Sequence, residues 1–541
     1  MLAFTGIPLF FLELALGQFA SEGPITVWKL APLFKGIGWA MVVVSGLVGI
    51  YYNVIIAWTI FYFVASLTSK LPWMDCQNPW NTPACKEAGI NCTNAIGSQS
   101  PSEQYWERHV LGLTDGLENM GIIRWKLALC LLGAWVVIFL CLIKGVKSSG
   151  KVVYFTATFP YIVLVILLVR GVTLPGAKKG IMFYVTPDFN KLKDSKVWAD
   201  AATQIFYSLG VGFGGLEVMS SYNKFKNNCY RDALLVSIIN CMTSVFAGFV
   251  IFSVMGFMSE KMAVPVAQVA KSGPGLAFVA YPEGIAQMPI APLWSVLFFL
   301  MLFTLGLDSQ FAMMETVISA ISDEFLVLRK YKMLFTGFLC VLLFLLGLPC
   351  VMDGGMYIFN LIDSYSGGYS LMVIALVEVI VISWIYGYKK FAADIKMMIG
   401  FTPNIYWRIT WQFLTPAIIV FILVFSAIKA TPLSLGSYLY PCWAQMLGIT
   451  MVFASIVFIP LMMGIETCKH FGCKKTLKIM VSPTPDWGPA EPEYRTGKYA
   501  IDRQRSRDPI PAKSNDIQLQ KRPSDGATNQ GYVPDGDFAH F

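Results

Sequence analysis

Residues 201–222 read AATQIFYSLGVGFGGLEVMSSY, an apolar stretch with glycine at positions 210, 212, 214 and 215. Each glycine inside a helix costs about 1 kcal/mol relative to alanine, so this spacing predicts a helix that breaks. Unwound backbone at membrane depth is tolerated only where it is buried in protein or lines a cavity. There it frees amides and carbonyls for ligands, flanked by half-helix ends of fixed dipole sign. The alternative is a glycine-lined packing face that stays helical, since small residues also line helix interfaces. Gly210, Gly212 and Gly215 fit G-x-G-x-x-G as well, but no strand precedes them and the surroundings are apolar, so a dinucleotide site is rejected.

Outward from this stretch, the 541-residue chain is 56% hydrophobic and only 14% charged, beyond the apolar share of a soluble domain. Its mean hydropathy is +0.59. Runs such as residues 127–143, 152–169, 334–349 and 449–463, with their flanks, are long enough to span a bilayer, and about eleven such spans are expected. The fold class is therefore an all-α polytopic membrane protein. Its net charge of +8 sits in short loops rather than in a basic stripe with interleaved aromatics, which argues against nucleic acid. With three histidines, His109, His470 and His540, there is little material for acid-base catalysis or a histidine-ligated metal, and neither an enzyme nor a bound cofactor is expected.

Most of the 12 cysteines lie in apolar runs, where cysteine behaves as a small hydrophobe. Cys76, Cys85 and Cys92 instead share a polar loop with the sequon Asn91-Cys92-Thr93. Disulfide and glycan both require the secretory compartment. The loop over residues 68–124 is thus assigned to the outside, with Asn91 as glycan acceptor; of three open pairings, Cys76 with Cys85 is the one expected. Alternation then puts Lys144, Lys147, Lys151, Lys224, Lys226, Arg231, Arg329, Lys330, Lys332, Lys389, Lys390 and Lys396 inside, as the positive-inside rule requires. Lysines 178, 179, 191, 193 and 196 dissent, on an outer segment. Residues 1–468 form the membrane domain in this reading. Residues 469–541, rich in Pro, Lys, Arg, Asp and Ser, form a cytoplasmic tail without stable structure.

Polar groups inside spans are expensive, and a charge at the bilayer centre costs about 2.5 to 3.5 kcal/mol on insertion scales. Glu13, Asn240, Asp308, Asp363 and Glu378 are the candidates. Asn240 serves equally as an interhelical hydrogen bond. Asp308 followed by Ser309 is oxygen-rich, as a hard cation requires. Glu378 is left to snorkelling or helix packing.

GIPLFFLELALGQ, KGVKSSGKVVYFTATFPY, AATQIFYSLG, SYNKFKNNCYRDA, LGLDSQFA and SPTPDWGP resemble the neurotransmitter:sodium symporters, sodium- and chloride-dependent transporters, over nearly the whole chain to about residue 490. Within the family they look most like its amino-acid branch of glycine, proline and neutral amino-acid transporters. The resemblance implies the inverted-repeat fold of the bacterial leucine transporter, with a binding site at a broken sixth helix, and symport of a small neutral amino acid with Na+ and Cl− across the plasma membrane. One sodium would be held by Ser208 and Asn240, a second by the Leu305 carbonyl, Asp308 and Ser309. Chloride would sit among Gln204, Ser208, Asn240 and Ser244, the neutral Ser244 standing where chloride-independent members carry a carboxylate. Val48, Tyr52, Tyr207, Gly210, Phe213 and Met313 would surround the substrate, with room for a side chain of proline's size rather than glycine alone. Asp363 resembles the outer gate, Asp323 with Tyr222 the inner gate, and Glu13 the carboxylate that braces helix 6. The family's first helix has no counterpart, so the chain reads as a truncated form of about eleven helices. It would then be either a product of a full transporter or a transport-inactive fragment modulating full-length subunits, with a monoamine- or GABA-type carrier the further alternative; as protein partners, a homo-oligomer or pairing with a full-length transporter is expected.

Overall fold

The computed structural model describes residues 1–86, 99–143, 146–262, 264–269, 273–428, 431–469 and 476–500. Asn91, Cys92, His470 and His540 lie outside them. The apolar runs form helices, and among the described residues ten are long and apolar enough to cross a membrane. The helices that build the site are α1 (Ile7–Ala20), α2 (Gly36–Ser66), α3 (Trp125–Leu142) and α4 (Val146–Val172). They are followed by α5 (Ser195–Leu209), α6 (Gly215–Ser221), α7 (Cys229–Met262), α8 (Ala291–Glu324) and α9 (Lys332–Gly347). Next come α10 (Gly355–Ser366), α11 (Gly368–Ile380) and α12 (Tyr388–Ile399). Helices α5 and α6, of 15 and 7 residues, are each too short to span and follow one another across the glycine stretch.

Small residues set the tightest packing. Gly17 on α1 faces α6 so closely that a methyl group there would collide with the Glu217 backbone and the Ser220 hydroxyl. Helix α8 lies along α2 and against α4, while α1 packs on both α6 and α7. Backbone approach of this kind substitutes for hydrophobic drive, which is weak between helices in lipid. Outward faces carry the apolar side chains that meet lipid, among them Leu140, Val169, Met242 and Leu346.

The loop between α2 and α3 is stapled by a Cys76–Cys85 disulfide with Cα atoms 5.8 Å apart. Its aromatic cluster buries Trp73 and Tyr105, with His109 tucked against the Trp80 ring at 4.2 Å and the Tyr105 ring at 5.2 Å. Arg124 closes the loop, pairing with Asp353 at 2.6 Å.

The compact unit runs from Met1 to Tyr494, and residues 495–541 form a separate one. Its end lies beyond the composition shift near residue 468, because residues 482–494 return to the body. Trp487 is buried against Phe19 and Tyr386, its indole N–H donating to the Tyr386 hydroxyl at 3.2 Å.

Candidate substrate and ion site

The glycine stretch does break. Gly210, Gly212 and Gly214 have φ of +69°, +82° and +78°, a left-handed region that side-chain-bearing residues adopt at a cost of about 1–2 kcal/mol. Gly210 caps α5, its N–H bonding to the Phe206 and Tyr207 carbonyls. Gly214 precedes the first turn of α6. Between the half-helices, the Gly212 N–H donates to Glu13 Oε1 at 2.8 Å and the Ser45 hydroxyl donates to the Phe213 carbonyl at 2.8 Å. Two freed backbone groups are thus paired by side chains of α1 and α2, as buried polar groups must be.

Beside the break, the Tyr207 and Phe213 rings meet edge to face at 5.9 Å. Tyr207 packs against Gly367, where a side chain would collide with its hydroxyl. Gly367 itself separates α10 from α11, a second interruption that the sequence reading did not single out. Tyr52 lies next to Ser309 and Asp308. Its neighbour Tyr51, also not singled out, is the residue that reaches Tyr207 and Asp363. Adjacent tyrosines on α2 point about 100° apart around the helix, so sequence alone does not assign their partners. Val48 is buried on the same helix and Met313 is half-buried on α8.

Of the expected ion ligands, Ser208 and Asn240 come together, with the Asn240 amide donating to the Ser208 hydroxyl at 2.6 Å. Ser244 bonds back to the Asn240 carbonyl at 3.1 Å and is exposed, as is Gln204. Asp308 accepts a hydrogen bond from Thr156 of α4, a residue absent from the sequence-level ligand set. Ser309 turns to the Leu305 carbonyl at 3.5 Å. A cavity of about 390 Å³ lies between α4, α7 and α8, and Asn240, Ser244 and Leu305 stand on its wall with Tyr161 and Leu164.

Both expected inner-gate residues, Tyr222 and Asp323, have further partners. Asp323 faces Arg329 at 3.7 Å. The Tyr222 hydroxyl donates to Glu315 Oε1 at 3.2 Å and meets Ser319 at 3.1 Å, while Lys332 reaches the same Glu315 oxygen at 3.1 Å. Asp323 sits two turns further along α8 than Glu315 and still lies within electrostatic reach of the Tyr222 hydroxyl. Glu315 was legible as a carboxylate two turns after Asp308 in an apolar run. Glu378 does not snorkel: like Glu13 and Glu217, it is fully buried.

Residues 1–470 match the family described as the sodium:neurotransmitter symporter family. The chain belongs to that family. It is 48% identical over 535 residues to the sodium- and chloride-dependent glycine transporter 2 of Xenopus laevis, covering 92% of this chain and 68% of that one. It is also 48% identical over 527 residues to glycine transporter 1 of the same organism, covering 92% and 83%. The family is one of transporters rather than enzymes. Membership places the long apolar helices in a multi-pass membrane protein.

Proposed function

We propose that this chain carries a small neutral amino acid across the plasma membrane together with Na+ and Cl−, by rocking about the α5–α6 break. Support comes from two relatives that are glycine transporters coupled to both ions and from one geometric observation. Glu13 holds the Gly212 amide where two half-helix ends, the Tyr207 and Phe213 rings and the Ser208–Asn240 pair converge. Half-helix ends offer dipoles of opposite sign to the two ends of a zwitterion. Hydroxyl, amide and carboxylate oxygens suit a hard cation, and an anion nearby offsets its charge in a low-dielectric site.

In this reading Ser208, Asn240, Asp308 and Ser309 with the Leu305 carbonyl serve sodium, with Thr156 orienting the Asp308 carboxylate. Gln204, Ser208, Asn240 and Ser244 serve chloride. Val48, Tyr52, Tyr207, Gly210, Phe213 and Met313 bound the substrate, with Tyr51 holding Asp363 at the outer gate. Tyr222 closes the inner gate on Glu315. The disulfide-bearing loop lies outside, Asn91 carries a glycan, and the lysine-rich loops and the C-terminus lie in the cytoplasm. A panel of neutral amino acids, offered to reconstituted protein with an imposed sodium gradient and chloride present, tests this. Competition by the smallest members is expected, ranking glycine against proline. Uptake that persists after both ions are replaced rejects the reading.

A further inference from the structure

Three carboxyl groups from three helices meet behind the break. Glu13 on α1, Glu217 on α6 and Glu378 on α11 are all 0% exposed. The Glu217 and Glu378 carboxyls face each other, and both face Glu13. Among the described residues, Glu13 Oε1 alone has a hydrogen-bond donor, the Gly212 N–H at 2.8 Å; Glu13 Oε2 and both oxygens of Glu217 and of Glu378 find none there.

The charged groups on the surrounding helices are engaged elsewhere. Glu315 on α8 is held by Tyr222, Ser319 and Lys332, and Asp308 by Thr156. On α12, Asp394 is held by Tyr386. Tyr51 on α2 turns to Asp363 and to Tyr207 of α5. No described lysine, arginine or histidine forms an ion pair with the three glutamates.

Three ionised carboxylates in such a place would repel one another where solvation is weakest, and an uncompensated buried charge is among the most destabilising groups a protein can hold. At least one of the three must be neutralised. Among the described residues no set of three or more acidic, cysteine or histidine side chains is arranged to hold a metal ion. A carboxyl that keeps its proton, by contrast, gains an O–H donor, which the facing carboxylate oxygen can accept.

We propose that Glu217 and Glu378 form a proton-binding site: Glu378 carries a proton and donates it toward Glu217, while Glu13 remains the anion that braces Gly212. The site lies where the second half of the broken helix meets α1 and α11. Glu217 is in the first turn of α6, and Gly17 admits α6 to close contact with α1. Losing the proton would set three like charges against one another and push α6 off α1, so proton release accompanies any movement that parts these helices. Deprotonation forms no covalent product; the proton passes to water once α6 moves. The proposal stands whether or not the chain transports.

Infrared spectroscopy of the purified full chain in lipid at neutral pH tests this, through the carbonyl stretch of a protonated carboxyl, which lies clear of the carboxylate bands. The expected result is a band that exchanges slowly in heavy water, is lost in Glu378→Gln and shifts in Glu217→Gln. Glu378→Gln should keep wild-type melting behaviour, because glutamine reproduces the neutral acid, and Glu217→Gln keeps an acceptor oxygen for the Glu378 proton. Should Glu378→Gln fail to fold, an alkaline titration of wild type, with the Glu217→Gln shift to assign the band, answers the same question. Absence of any such band sensitive to either substitution overturns the proposal. So does a band that vanishes when sodium is added at constant pH, since a metal ion would then be the ligand.

Discussion

Gly210 and Gly212 both hold left-handed φ, yet their surroundings differ. A Cβ added at Gly210 meets nothing within 4 Å, whereas one at Gly212 sits 3.2 Å from the Leu371 carbonyl oxygen. Alanine at 210 is expected to cost backbone strain alone, about 1–2 kcal/mol. At 212 it adds a clash and disturbs the amide held by Glu13, so Gly212→Ala should lower the melting temperature by more than Gly210→Ala. Thermal unfolding of the two variants in detergent checks the order. The glycines themselves were plain in the sequence, and so was the break. That Gly212 points its N–H at Glu13, 199 residues away, was not, because a one-dimensional pattern carries no distances. Glu217 escaped notice for the same reason: in sequence it is one acid after a glycine run, and only α1 and α11 make it part of a cluster.

At the scale of elements, α4 and α8 are joined where Thr156 donates to Asp308. If Asp308 is a sodium ligand, Asp308→Ala removes a charged oxygen and should shift the sodium activation curve to higher concentration, by tenfold for each ~1.4 kcal/mol of lost binding. Thr156→Val should give a smaller shift, since it loses orientation but keeps the ligand. An unchanged curve in Asp308→Ala removes this residue from the site. The loop before α3 offers a pH test. Burial first, then the positive charges of Lys126 and Arg124, hold His109 below its usual range. The neutral ring is therefore the folded form. Its contribution to stability is full above the ordinary histidine value near 6.5 and is lost as pH falls through the lowered one. Hydrogen exchange in residues 99–111 should thus accelerate on acidification, and His109→Gln should flatten that response.

Over the whole molecule, residues 482–494 tie the body together from outside the bundle. The Thr484 N–H donates to the Lys29 carbonyl at 2.9 Å, Asp486 pairs with Lys29 at 3.2 Å, and Tyr494 stacks on Phe225 at 4.5 Å. Trp487 is the anchor. Trp487→Ala removes a buried indole, a change that costs about 3–5 kcal/mol where packing is complete, and is expected to release the strap. Limited proteolysis should then cut within residues 482–494 in the variant and spare the wild type; equal cutting in both would show that the anchor does not hold the segment. Composition alone assigned this segment to the tail, since its prolines and charges outweigh one tryptophan in any window average.

The sequence by itself determined the medium, the helices and the place of the break, because hydropathy and glycine density are local properties that act within one turn or one span. It also supplied the family, through motifs long enough to be specific. Tertiary structure alone decided the partners: Tyr51 for Asp363, Glu315 for the Tyr222 hydroxyl, Thr156 for Asp308, and three glutamates in one buried cluster. Such pairings depend on how helices rotate and approach, and those angles follow from packing across hundreds of residues, which no local pattern encodes.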